Sequence, residues 1–115
     1  MAGLTRGGVY LARLDPAKGA EVGKLRPVVV LSAKEILEVA SPLLFICPLS
    51  SRSDAAYESL HVAIAPRDGL KVQSYALVEH CRAISRSRLV GSRIAQLKPS
   101  ELGSILHRLN RLVGL

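Results

Sequence analysis

The chain has 115 residues, 49% hydrophobic and 22% charged, which suffices for one core without disulfides or a structural metal and calls for no second domain; residues 1–115 are expected to form a single unit. Sixteen Lys and Arg against nine Asp and Glu give a net charge of +7, a balance that attracts nucleic acid or an anionic membrane surface and leaves their location to decide between them. No window approaches the roughly 18 apolar residues of a membrane span, and the N-terminal MAGLTRGGVY lacks the apolar run of a secretory signal, so the expectation is a cytoplasmic protein without membrane contact.

Aromatic residues make up 3% and Trp is absent, so the core must be aliphatic. Along the chain, Val9, Leu11 and Arg13 alternate with Tyr10, Ala12 and Leu14, which reads as a strand ended by Asp15-Pro16. Residues 15–25 carry Pro, Gly, Lys and Glu without periodicity and read as a mobile surface loop. A second strand, RPVVVLS (26–32), looks buried throughout, with Pro27 tolerable at its start or on an edge. Residues 33–42 read as a turn or brief helix, 43–49 as a third buried strand, and 50–59 as a polar loop.

Leu60, Val62 and Ile64 alternate inward in a fourth strand, so His61 should face solvent or an interface. Pro66 to Gly69 suit a type I turn. Residues 75–85 read as one longer strand, with Glu79 and His80 on opposite faces, and 86–97 as a short turn of helix and a last small strand with solvent-facing arginines. Leu102, Ile105, Leu106, Leu109, Leu112 and Val113 then make one apolar helix stripe behind Pro99, wide enough to cover an open barrel or to share burial with a partner subunit. Five or six short strands and one helix describe a mainly β, SH3-like small barrel with a C-terminal α-helix.

No phosphate-binding glycine loop, nucleophile elbow or zinc spacing is present, and Cys47 and Cys81 read as buried thiols. Chemistry must therefore come from scattered groups. His107 sits at a basic helix end, where it complements the dipole. Arg26 is different: a strand mouth stiffened by Pro27 holds a planar fork of donors that suits two phosphate oxygens, although a strand-end Arg is by itself an ordinary surface charge. Ser50, at the end of the third strand, offers a hydroxyl to a phosphoryl oxygen, against its commoner fate as a turn serine.

The blocks RGGVYLARLDPAKGAEVGKLRPVVVLS, ICPLSSR, HVAI, SYALVEHCRAISRSRL and LHRLNRLVGL, in this order, resemble the MazF/PemK (Kid) family of toxin endoribonucleases. The resemblance implies an SH3-like barrel working as a homodimer. It implies a toxin that cuts single-stranded RNA at a short preferred sequence, without metal or other cofactor, and that a cognate antitoxin neutralises, the toxin–antitoxin complex binding DNA. It also implies that Arg26 and Ser50 are catalytic, with Glu79 a secondary candidate for base-like duty. Lys18, Glu21, Lys24, Ser51, Arg52 and Arg82 are the expected RNA contacts.

The chain departs from the family in places. Ser50 stands where Thr is usual, Val22 and Lys24 where Gln and Gly are common, and Leu77 where the Kid branch has a working arginine. The rival reading is a non-catalytic barrel of the same fold, either a gyrase-poisoning toxin of the CcdB type or a nucleic-acid-binding module.

Overall fold

A computed structural model describes residues 3–115. Seven strands make one antiparallel sheet: β1 (Gly8–Arg13), β2 (Leu25–Val30), β3 (Leu43–Ser50), β4 (His61–Ile64), β5 (Ser74–Leu77), β6 (Arg82–Ser85) and β7 (Leu89–Gln96). Two helices complete it, a five-residue α1 (Lys34–Glu38) and α2 (Pro99–Leu112). The strand order is β4-β5-β3-β2-β1-β7, with β6 pairing the other stretch of β3, so the barrel is open rather than closed.

Both faces of the central strands are buried, which is why β2 reads as a continuous apolar run instead of alternating. Val29, Leu31, Cys47 and Leu49 join Val62, Ile64 and Ile105 in a core beneath α2. Val28 and Val30 face the other way, into a second core with Tyr10, Leu14, Leu44, Ile46 and Ile84. Helix α2 buries Ile105 fully and packs Leu102 and Leu109 on the first core. The last part of its stripe stays uncovered, with Leu112 and Val113 exposed.

Three expectations fail where the sheet bends. Residues 75–85 are two strands, not one, separated by a 3₁₀ turn at Val78–His80. The register explains the break: β6 pairs Leu43 to Ile46 of β3, whereas β5 pairs Leu49 and Ser50. Pro48 falls between them, with no N–H to donate to a ladder, and the chain tucks Val78 into the core instead. Alternation therefore does not carry through this turn, and Glu79 and His80 come to one side, His80 Nε2 lying 4.0 Å from a Glu79 oxygen. His61, expected to face solvent or an interface, is buried within the chain.

The turn after β4 differs as well. Asp68 has φ 45°, which a type I turn does not allow, and Arg67 and Leu70 exchange backbone hydrogen bonds of 2.9 and 2.8 Å around Asp68-Gly69. Gly69 is needed there because a Cβ would lie 2.8 Å from Ile94. Among the arginines of 86–97, Arg86 folds inward, its Nε donating to the Ser41 carbonyl at 3.1 Å.

Candidate active site

Strand β2 is central, yet its ladder to β3 begins only at Val28–Pro48. Ahead of that pair, Pro27 and Arg26 are bonded to β1 alone, so Pro27 occupies a local edge inside a central strand. The Arg26 side chain spans the gap. Its Nε donates to the Gly23 carbonyl at 3.0 Å and its Nη1 to the Leu49 carbonyl at 3.5 Å, which fixes the guanidinium plane and leaves the other N–H groups for a ligand.

This guanidinium lines a cleft of about 740 Å³ together with Ser50, Ser51 and Arg52 at the end of β3, Lys24 from the β1–β2 loop and Lys71 from the β4–β5 hairpin. Four cationic side chains and no carboxylate line it among the described residues. Ser50 Oγ accepts the Arg52 backbone N–H at 3.1 Å. The turn-serine role is thus real, and the hydroxyl hydrogen remains to be donated.

Lys24 enters the cleft from a left-handed backbone, φ 69°, where the loop closes: its N–H donates to Asp15 Oδ1 at 2.8 Å and its carbonyl accepts from Leu14 at 2.9 Å. An L side chain there costs on the order of 1 kcal/mol. The β4–β5 hairpin is held from outside the cleft by Arg67, whose two terminal nitrogens donate to the Glu101 carboxylate at 2.6 and 2.7 Å. These hydrogen bonds pull the Glu101 pKa down and raise that of Arg67.

The expected site residues divide between places. Arg26, Ser50, Ser51, Arg52 and Lys24 share the cleft. Glu79, Glu21 and Arg82 instead line a second, smaller pocket of about 210 Å³ with His80 and Cys81, where Arg82 Nη1 is buried without a hydrogen-bond partner among the described residues. Lys18 lines neither; its N–H closes a turn onto Glu21 Oε1 at 2.7 Å. Lys71 and Ser74 were not foreseen, because only the hairpin's fold turns them toward Arg26. His61 bonds Ser53 and Glu79, a contact the sequence did not foretell. Among the described residues, no three His, Cys, Asp or Glu side chains converge as metal ligands.

The fold and the cleft define a small, open antiparallel β-barrel protein with a cationic, carboxylate-free cleft among the described residues. The chain belongs to the PemK-like, MazF-like toxin family of type II toxin–antitoxin systems, whose model matches residues 5–113. It is similar to the Endoribonuclease EndoA of Bacillus subtilis, with 36% identity over 85 residues covering 73% of this chain and 72% of that protein. Similarity to the Endoribonuclease MazF of Staphylococcus saprophyticus extends over 113 residues, 97% of this chain and 92% of the relative, at 28% identity. Among solved structures, MazF from Deinococcus radiodurans superposes with a TM-score of 0.78 at 27% identity, covering 95% of this chain and 94% of the other. A MazE–MazF complex from the same organism matches with a TM-score of 0.73 at 27% identity, covering 96% and 95%.

Proposed function

We propose that the protein is an endoribonuclease toxin that cuts single-stranded RNA at a short preferred sequence in the Arg26–Ser50 cleft, by attack of the RNA's own 2′-hydroxyl and without metal. The relatives from Staphylococcus saprophyticus and Bacillus subtilis are both named endoribonucleases, which supports this reading. The observation that carries the cleft assignment is the Arg26 guanidinium, pinned by two main-chain carbonyls among cations, beside a serine whose hydroxyl hydrogen is still available.

RNA supplies the nucleophile, so the protein has to orient the phosphate and stabilise the charge that builds on its nonbridging oxygens. Arg26 faces that charge with donors already oriented, and Ser50 donates to one oxygen. Lys24, Arg52 and Lys71 grip flanking phosphates. No carboxylate or imidazole lines this cleft among the described residues, so its share of catalysis is electrostatic. Glu79, in the smaller pocket with Glu21 and Arg82, stands as the secondary acid–base candidate.

A cognate antitoxin that neutralises the toxin follows from family membership, and the MazE–MazF complexes supply the precedent. A homodimer is supported by the uncovered end of the α2 stripe, Leu112 and Val113.

The experiment is cleavage of a single-stranded RNA by the purified protein in EDTA. Fragments ending in 2′,3′-cyclic phosphate are expected. Arg26→Ala should lower the rate roughly 100- to 1,000-fold with the fold intact. Ser50→Ala should lower it less, as a neutral hydrogen bond is lost rather than a charge. A metal requirement, or full activity of folded Arg26→Ala, overturns the proposal. The gyrase-poison reading predicts an intact RNA and an inhibited gyrase in the same tube.

A further inference from the structure

His61 is 8% exposed, and the cleavage scheme above makes no use of it. Its ring is bonded at both nitrogens: Nδ1 lies 2.8 Å from Ser53 Oγ, and Nε2 lies 2.8 and 3.0 Å from the two Glu79 carboxylate oxygens. An ionised carboxylate only accepts, so Nε2 carries a hydrogen and donates it. Nδ1 pairs with the Ser53 hydroxyl, which can accept or donate as the ring requires.

One end of this chain of hydrogen bonds lies next in sequence to the cationic cleft, and the other lies in the smaller pocket. Ser53 follows Ser50-Ser51-Arg52, which line the cationic cleft, whereas Glu79 lines the pocket of Glu21, His80 and Arg82. Every residue from 51 to 59 is exposed, so this loop has no buried apolar side chain to anchor it. Hydrogen bonds hold it instead: Ser53 to His61, the Arg52 N–H to Ser50 Oγ at 3.1 Å, the Ala56 and Tyr57 N–H groups to the Asp54 carboxylate and carbonyl at 2.9 Å each, the His61 N–H to the Glu58 carbonyl, and Arg108 to the Ser59 carbonyl at 3.1 Å. Of these, the Ser53–His61 bond is the one that runs through the imidazole itself to Glu79.

We propose that His61 is a positioning residue for RNA cleavage, one that ties the 50–54 loop to the 78–80 turn and so holds the cleft and the Glu79 pocket at a fixed separation along one RNA strand. This rests on the ribonuclease reading. A displacement of about 1 Å in such a constellation lowers a rate by about two orders of magnitude, so the bond matters for turnover more than for stability.

Ser53 gives the cleanest test because it is exposed and lines no part of the cationic cleft. Ser53→Ala is expected to lower kcat for RNA cleavage roughly 10- to 100-fold, with KM within about threefold and Tm within about 2 °C. Ser53→Thr, which keeps the hydroxyl, should restore kcat. His61→Gln keeps a donor for Glu79 and should lose as much kcat as Ser53→Ala, and adding Ser53→Ala to His61→Gln should lose nothing further. Wild-type kcat in Ser53→Ala, multiplicative losses in the double variant, or a rate loss that only follows the unfolded fraction each overturn the role of His61. Failure of the wild-type protein to cut RNA overturns the ribonuclease reading itself, and with it this role.

Discussion

Glu101→Gln removes the charge that Arg67 grips while keeping the side-chain volume. Glu101 sits in the first turn of α2, where it also accepts the Lys98 N–H at 2.8 Å, and the Arg67 and Glu101 side chains are 17% and 16% exposed. Solvent screening therefore discounts the pair only in part. Two charge-assisted bonds in parallel, less the one acceptor that Gln retains, put the loss at about 2 kcal/mol, or about 8 °C in Tm for a chain of this length. Glu101 is held below the ordinary carboxylate range, chiefly by its hydrogen bonds from Arg67, so its contribution is complete at neutral pH. That contribution begins to fall as the pH drops below about 4.3 and disappears once the pH passes the folded-state value. Urea denaturation of both proteins at pH 7 and near pH 3 reads this out: the gap should be largest at pH 7 and shrink in acid. A gap equal at both pH values, or none at pH 7, would refute the assignment. Because the same hairpin carries Lys71 and Ser74 into the cleft, weaker RNA cleavage by Glu101→Gln is expected alongside the lower stability.

Lys24→Gly should raise Tm by about 4 °C, since it relieves a left-handed φ of 69°, while weakening RNA binding through the lost charge; calorimetry and a binding titration separate the two effects. Gly69→Ala should cost roughly 1–3 kcal/mol in chemical denaturation, because the new methyl meets Ile94. Lys71→Ala should weaken RNA binding across sequences and reduce the slope of log affinity against log salt by about 0.7. Cys81 is partly exposed, whereas Cys47 is buried with its pKa raised by the neighbouring Cys81 and by burial, so alkylation followed by mass spectrometry should label Cys81 first and Cys47 only on unfolding.

The strands at 8–13, 25–30, 43–50 and 61–64 and the helix at 99–112 were legible because each buries a regular apolar pattern, and periodicity depends only on neighbours in sequence. Arg26 and Ser50 were legible as candidates for a related reason: each stands where a buried strand meets a polar loop. The break at 78–80 was not, because it comes from Pro48 on another strand, 30 residues away in the chain, and no local pattern reports a missing N–H across a sheet. His61 misled in the same way. Alternation assigned its ring to the outer side of β4, and only packing decided that Glu79 and Ser53 would cover that side.

By itself, then, the order of residues determined the strand-rich architecture, its two-faced aliphatic core, the basic charge and the family. Tertiary structure alone decided that Lys71 joins Arg26, that Glu21, Glu79 and Arg82 gather in a pocket apart from them, and that His61 bonds both Ser53 and Glu79. The division has one physical cause: burial patterns are written in local spacing, whereas which charges share a cleft depends on where the sheet bends.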